Sequence, residues 1–523
     1  MASLRMRSQA FVLTTAAAIS AAGAVAAQQT LSFDDWWGQA GAARTTPEPT
    51  SSAPARLTFG ARPSSTTATA VPATTLERLH HWNHVAIDSS GLDHSPAGVG
   101  APHTFGHQLG PGRASRAMAI VHVAVFEIVN AIDRRYESYL GVPEIGHMAS
   151  MDAGMAVAAH DTLIALFPSQ KAHCDELLAV DLATMPDGAA KRNGIMFGRA
   201  VAAAVLRKMH DDGSNHPEPL YGVDYIAGDG PGEWRQDPIS RLPPALGAHW
   251  GTVRPFVVPS GRTFRAPPPP PLWSTAYAAA YNEVKRVGGD GITTPTVRTD
   301  DQTIAATYWA YDGTPSLCAP PRLYNQITEV IAAQMGSDVV DQARLLALVN
   351  VAMADAGIAV WESKYFYKLW RPVTGIREAN PGTGPTGIGD RNRLTRGDAT
   401  FTPLGAPATN LAVPNFTPPF PAYPSGHAGF GGALFQMLRN VYGRDDIPFT
   451  FVSDELNGVT VDHEGVVRPL LPRSFSSLSQ AEEENGQSRI YLGIHWSFDK
   501  TAGIAQGRQV ADYVFTHAFR PLQ

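Results

Sequence analysis

The stretch ASRAMAIVHVAVFEIVNAI, residues 114 to 132, decides the fold class. It is too long for an ordinary strand, and its few polar residues form only a thin stripe at helical spacing. A helix that is apolar almost all round is one buried among other helices. Met148–Leu166 and Ala189–Met209 read the same way, Ala-rich and long enough to be buried. Further on, the pattern predicts helices over Ser274–Val287, Asp301–Tyr311, Tyr324–Met335 and Asp341–Trp370. The last must stop near Arg371, because Pro372 disfavours helical geometry in the residue before it. Ser425–Leu438, Gln480–Phe498 and Ala502–Phe519 complete the set. Strand alternation is weak throughout, so the expected class is all-α with bundle packing.

Between these helices lie long connections rich in Pro and Gly, from 217 to 272 and from 380 to 423, including an uninterrupted proline run at 267 to 271 that reads as a rigid surface rod. A 523-residue chain with 44% hydrophobic and 17% charged residues can bury a sizeable core, which excludes global disorder. The net charge of −6 argues against nucleic-acid binding, which needs surplus Lys and Arg. Two cysteines, Cys174 and Cys318, exclude a disulfide scaffold, and the sequence leaves open whether they pair. At the N-terminus, Arg5 and Arg7, an Ala-rich apolar run from Ala10 to Val25 and the small residues before Gln28 read as a signal peptide over 1–27. Its removal takes two arginines and moves the net charge from −6 to −8. The expectation is a secreted or periplasmic protein with no membrane span in the mature chain. Residues 28–75 read as a disordered Thr/Ser/Pro-rich arm, 76–299 as an N-terminal helical bundle and 300–523 as a C-terminal one.

Three segments collect chemistry. In Lys364-Tyr-Phe-Tyr-Lys-Leu-Trp-Arg371-Pro372 two cations stand two helical turns apart amid Trp361, Tyr365, Phe366, Leu369 and Trp370, which weakens a reading as a plain solvated face. In Phe420-Pro-Ala-Tyr-Pro424-Ser425-Gly426-His427 a helix N-terminus offers free backbone N–H groups, a hydroxyl, a glycine that admits an oxyanion, and an imidazole in the first turn. In Ser488-Arg489-x5-His495-x3-Asp499 the spacing 0, 7, 11 predicts one helical face, with Asp499 able to orient one ring nitrogen of His495 while the other serves as a ligand. A lone histidine on an apolar helix is more often a satisfied core residue; the three segments together outweigh that reading. Elsewhere the signals are weak. His80-His81-x2-His84, His103 and His107 lack further ligands at metal spacing, the Asp211-Asp-Gly-Ser-Asn run lacks the terminal Glu of a calcium loop, and His463-Glu464 lacks the second zincin histidine.

The order Lys364-x6-Arg371-Pro372, Pro424-Ser425-Gly426-His427, Ser488-Arg489-x5-His495-x3-Asp499 resembles the three-part signature of the vanadium-dependent haloperoxidase and type 2 phosphatidic acid phosphatase superfamily. Trp309-Ala-Tyr-Asp312-Gly, Pro320 to Gln326, Ala343 to Leu348, Leu404 to Asn410 and Ser453 to Gly458 resemble the chloroperoxidase branch. The likeness is dense from about 300 to 500 and looser from Arg113 through the Trp250 segment. It implies two four-helix bundles with the site in the second. It also implies vanadate as cofactor, with hydrogen peroxide and a halide as partners; the sequence leaves open whether an organic acceptor joins them. In the implied roles Lys364, Arg371 and Arg489 neutralise the oxyanion, and Ser425 and the Gly426 N–H donate to it. His495 binds vanadium, His427 is the acid–base, and Asp312 pairs with Lys364 or Arg489. Trp361 and Phe420 form an apolar wall beside the halide, where bromoperoxidases tend to carry a histidine in place of Phe420; this implies chloride as well as bromide oxidation. The same pocket fits phosphate, so an exported acid phosphatase with His495 as nucleophile is the alternative.

Overall fold

The computed structural model describes residues 71–97, 101 and 103–522; the signal peptide and nearly all of the arm lie outside them. The described chain is helical, as expected, with thirteen α-helices and one short hairpin among the described residues. In the first half, α1 (Thr75–Asp93), α2 (Gly110–Ile132), α3 (Met151–Leu166), α4 (Lys171–Ala183) and α5 (Ala189–Met209) gather round α2 and α3. In the second, α6 (Thr275–Val287), α7 (Asp300–Tyr308), α8 (Pro321–Met335), α9 (Val339–Tyr367), α10 (Pro372–Arg377), α11 (Gly426–Tyr442), α12 (Leu478–Tyr491) and α13 (Ser497–His517) are arranged about α9 and α11. Helix α2 packs along α9, and one hydrophobic core runs through both halves.

Helices α2 and α9 are long and apolar enough to cross a membrane by length and composition. Both are fully buried in the fold, where a core helix meets the same composition requirement. Helix α1 escaped the pattern because its apolar positions are diluted by three histidines, yet Thr74 caps it with a reciprocal Glu77 bond. Helix α4 escaped because charged residues interrupt its apolar positions and it buries little beyond Cys174 and Asp181. Both cysteines are free and buried. The hairpin, β1 (Phe449–Asn457) and β2 (Leu470–Phe475), pairs antiparallel from Phe449↔Phe475 to Val452↔Pro472. Phe449 and Phe451 point inward while Thr450 and Val452 do not, the alternation of a half-buried strand.

Several helix boundaries differ from expectation, and two of them shape the site. The helix expected through Trp370 ends at Tyr367, where Lys368 turns left-handed at φ 51°. Residues 368 and 370 then bond to the connection at 232–234, Trp234 N–H donating to the Lys368 carbonyl (2.6 Å) and Trp370 N–H to that of Gly232 (2.8 Å). Lys364 and Arg371 therefore do not share a helical face: Arg371 caps the start of α10. Likewise the expected Gln480–Phe498 helix breaks after Tyr491. Gly493 stands at φ 73°, and a Cβ there would meet the Gly288 carbonyl at 2.3 Å. Ser488, His495 and Asp499 thus belong to a helix end, a turn and a new helix rather than to one face. A second, aromatic core of Tyr281, Trp370, Tyr423 and Trp496 locks these two breaks together, with Trp496 Nε1 donating to the Trp370 carbonyl (3.0 Å).

Candidate active site

The pocket forms where the C-terminal end of α9, the N-termini of α10 and α11 and the α12–α13 turn converge. Helices α11 and α13 approach closely because glycines face the crossing; a Cβ on Gly507 would stand 2.0 Å from the Gly429 carbonyl and one on Gly503 2.6 Å from that of Ser425. That contact lays the start of α13 against the start of α11, and Ser425 N–H donates to the Asp499 carbonyl (3.0 Å).

His495, 2% exposed, stands at the centre. Its Nδ1 bonds to Asp499 Oδ2 (2.8 Å), which also accepts from the Trp496 N–H (3.0 Å). A carboxylate there holds the proton on Nδ1 and leaves the Nε2 lone pair facing Arg371 Nη1 at 2.9 Å. Burial, then the cations Arg371, Lys364 and Arg489, hold the imidazole well below its usual pKa, so it is neutral. Burial raises the Asp499 carboxyl, against the pull of a backbone N–H and of Lys364 and Arg371.

His427, 8% exposed, lies in the first turn of α11. Its Nε2 donates to the Ala310 carbonyl (2.5 Å) and lies 3.9 Å from Asp312 Oδ1, so Nδ1 carries the lone pair. Burial and Arg489 push its pKa well below the usual histidine range. Tyr324 and Asn485 both donate to its backbone carbonyl, at 3.1 and 3.0 Å. Asp312 pairs with Arg489 (2.5 Å), not with Lys364.

The three cations spend their donors differently. The Lys364 ammonium gives all three protons to the loop before α11, to the carbonyls of Pro421 (2.9 Å), Ala422 (2.9 Å) and Pro424 (2.5 Å). Burial and then Arg371 lower its pKa well below the lysine range. Arg371 donates through Nε to the Phe420 carbonyl and through Nη1 to that of Ile494, both at 2.9 Å. Arg371 Nη2 and Arg489 Nε and Nη1 are buried with no partner. An unsatisfied buried donor costs about 1–3 kcal/mol, and three cations here face two carboxylates, Asp312 and Asp499. Such a site is built for an anion with several acceptor oxygens. Ser425 caps α11, its hydroxyl accepting weakly from Ala428 N–H (3.5 Å), which leaves its own proton to give. Gly426 lies so close to the Trp361 ring that a Cβ would stand 3.2 Å from it.

Phe420, 9% exposed, sits 4.9 Å centroid to centroid from Trp361, with Lys364 Nζ 5.1 Å and Arg371 Cζ 4.9 Å from its own ring centroid. The expected apolar wall is thus also a cation–π partner of the two cations behind it. The cavity holds about 30 Å³ and is lined by Trp361, Phe420, Gly426, His427, Arg489 and His495 among others. Sequence reasoning missed the opposite wall, where His94, Leu109, Gly110, Pro111 and Leu246 come from the first half of the chain. No local motif marks them; only folding brings them across. The weak histidine signals resolve into structural bonds: His80 bonds to Gln342 (2.7 Å) and His84 to Glu329 (2.6 Å). Among the described residues no cluster of His, Cys, Asp or Glu could hold a metal ion.

A profile of the VCPO second helical-bundle domain matches residues 344–523. A vanadium chloroperoxidase of Curvularia inaequalis is 32% identical over 507 residues, covering 80% of this chain and 78% of its own length. The crystal structure of the first bacterial vanadium-dependent iodoperoxidase matches with TM-score 0.66 at 24% identity, over 87% of this chain and 100% of that one. A holo-type bacterial vanadium-dependent chloroperoxidase structure matches with TM-score 0.56 at 16% identity, over 78% and 92% of the two chains. These likenesses at low identity concern the fold, whereas the identity and coverage of the Curvularia relative show that the chain belongs to the vanadium chloroperoxidase family of vanadium haloperoxidases.

Proposed function

We propose that this protein uses hydrogen peroxide to oxidise halide to hypohalous acid with vanadate as cofactor, and that it acts on chloride as well as bromide. The observation that carries the reading is the set of unspent buried donors, Arg371 Nη2 and Arg489 Nε and Nη1, around the His495 Nε2 lone pair, beside a dry aromatic wall. These groups fit a small tetrahedral oxyanion. Arg371, Arg489, Ser425 and the Gly426 N–H hold it, with His495 as the metal ligand and Lys364 contributing charge from behind the loop it clamps. Bound vanadate supplies a Lewis-acidic centre that activates peroxide without changing oxidation state.

The residues of the chain do the rest. His427, neutral at rest, accepts a proton at Nδ1 from incoming peroxide and returns it to the departing oxygen. Its imidazolium form gains from the Ala310 carbonyl and Asp312, and the negative charge of a bound oxyanion offsets the three cations that otherwise oppose it. Phe420 and Trp361 exclude water, so the cations act at close to full strength on the developing charge. The balance is one peroxide, one halide and one proton giving one hypohalous acid and one water. Export by the N-terminal leader keeps this product outside the cell, and mass spectrometry of the mature protein should find Gln28 at its N-terminus.

The test is peroxide-dependent oxidation of chloride, bromide and iodide before and after vanadate loading. Product only with vanadate supports the reading. Hydrolysis of an aryl phosphate, inhibited by vanadate, with no halide oxidation, replaces it with the phosphatase. Bromide oxidation without chloride oxidation overturns the halide assignment alone.

A further inference from the structure

We infer that the cleft beside the site, between α2, α3 and α5, binds a neutral, electron-rich aromatic acceptor of phenolic type, which captures the oxidised halogen as it leaves. The inference rests on the haloperoxidase reading for its chemistry and on geometry for its place.

Size is the first observation. The site cavity, about 30 Å³, has room for water-sized species but not for an aromatic ring. An organic acceptor must therefore meet the product elsewhere. The cleft holds about 1260 Å³, ample for a small organic molecule. The two are joined by a third, small cavity. It shares Leu109, Gly110, Leu246 and Trp361 with the site, and Leu109, Arg113 and Glu218 with the cleft. Only a few side chains thus separate the site from the cleft, and the partition is the Arg113–Glu218 ion pair, with Glu218 also accepting from the Gly247 N–H (2.5 Å).

Charge and polarity give the ligand class. The cleft contains two arginines, and both are already neutralised, Arg113 by Glu218 and Arg116 by Asp212 (2.5 Å). Neither calls for an anionic ligand. Ile120, Ala165, Leu166 and Leu206 give it an apolar side. Ser214 and Asn215, which also line it, offer a hydroxyl and an amide to a ligand hydroxyl. In the reaction the π electrons of an ortho or para ring carbon form the carbon–halogen bond as the halogen–oxygen bond of hypohalous acid breaks. The ring proton then leaves with the hydroxide as water, so arene and hypohalous acid give haloarene and water.

Ala165 and Leu206 line the cleft and take no part in the site, so Ala165→Trp and Leu206→Trp fill it without touching the chemistry. Titration of the vanadate-free wild type with 4-fluorophenol, followed by fluorine NMR, should show saturable binding, weakened at least tenfold in the double variant. With vanadate, bromide-dependent peroxide consumption should be the same in both proteins, which also establishes that the variant is folded; Ala165→Trp alone, at an exposed position, serves if the double variant does not fold. The ortho to para ratio of phenol bromination should differ from that of free hypobromous acid for the wild type and revert to it in the variant. No saturable binding by the wild type, or a filled cleft that binds and directs as before, overturns the inference. Binding with no peroxide consumption in either protein leaves the cleft standing and removes the haloperoxidase reading instead.

Discussion

Helix α2 and the pocket around His495 are both buried, and both contain a neutral histidine. On α2, His122 has neither ring nitrogen bonded, and burial alone drives its pKa down to about 3. The nearby Glu127 is the opposite case, a buried carboxylate satisfied by Ser138 and by the N–H groups of Tyr139 (2.6 Å) and Leu140 (3.0 Å). In the pocket, His495 has both nitrogens engaged, and its neutrality is reinforced by three cations. Burial is therefore common to core and site. What separates them is that the pocket holds unspent donors of one charge sign converging on a small volume, whereas α2 holds polar groups that are either satisfied or alone.

The comparison breaks most sharply at the two pocket histidines. His427→Ala should lower halide oxidation by about 10²- to 10⁴-fold while vanadate binding, read by calorimetry, is largely kept. His495→Ala should lose vanadate itself, and exchanged phenotypes would invert the assigned roles. In the core, Leu348→Ala, at a fully buried position of α9, should cost about 2–5 kcal/mol in urea unfolding and leave the vanadate dissociation constant of the folded protein unchanged.

Lys364→Ala should weaken vanadate by about 10- to 150-fold, the scale of one charge-assisted interaction of about 1.5–3 kcal/mol. Because the ammonium bonds three loop carbonyls and Asp312 pairs with Arg489, the accompanying change should be a looser 420–424 loop, seen as faster amide exchange there. Unchanged affinity would leave Lys364 a purely structural clamp.

His122 sharpens the contrast through pH. Its folded pKa lies below the unfolded value, so between pH 6.5 and about 3 the unfolded chain binds a proton that the native chain refuses, and stability falls as pH falls. His122→Leu should remove about 2 kcal/mol of the stability loss between pH 7.5 and pH 5, measured by urea unfolding at both; an unaltered loss would mean that the imidazole is protonated or bonded after all. The smallest effect expected is at the wall: Phe420→His should lower chloride turnover relative to bromide by about tenfold, roughly 1.4 kcal/mol, since a hydrated, titratable ring replaces a dry one against Lys364 and Arg371.

Periodicity, composition and the three spaced segments were enough to read an all-α chain, the placement of most helices, and Lys364, Arg371, Ser425, Gly426, His427, Arg489, His495 and Asp499 as one candidate site; Asp312 was implied only by the family resemblance. Those signals are local: an apolar run with helical period and a Pro-Ser-Gly-His helix start need no partner to be recognised. What only the tertiary structure decided is non-local. Helix α9 stops at Lys368 because the 232–234 connection offers backbone partners, and α12 stops at Tyr491 because Gly288 presses on Gly493. These breaks, not helical spacing, aim Arg371 and His495 at each other. The choice of Arg489 over Lys364 as partner of Asp312, the outlay of Lys364 on three carbonyls, and the wall from His94 to Leu246 are also matters of proximity in space. A linear pattern encodes which groups a chain owns; which donors remain unspent depends on every acceptor that folding brings within reach.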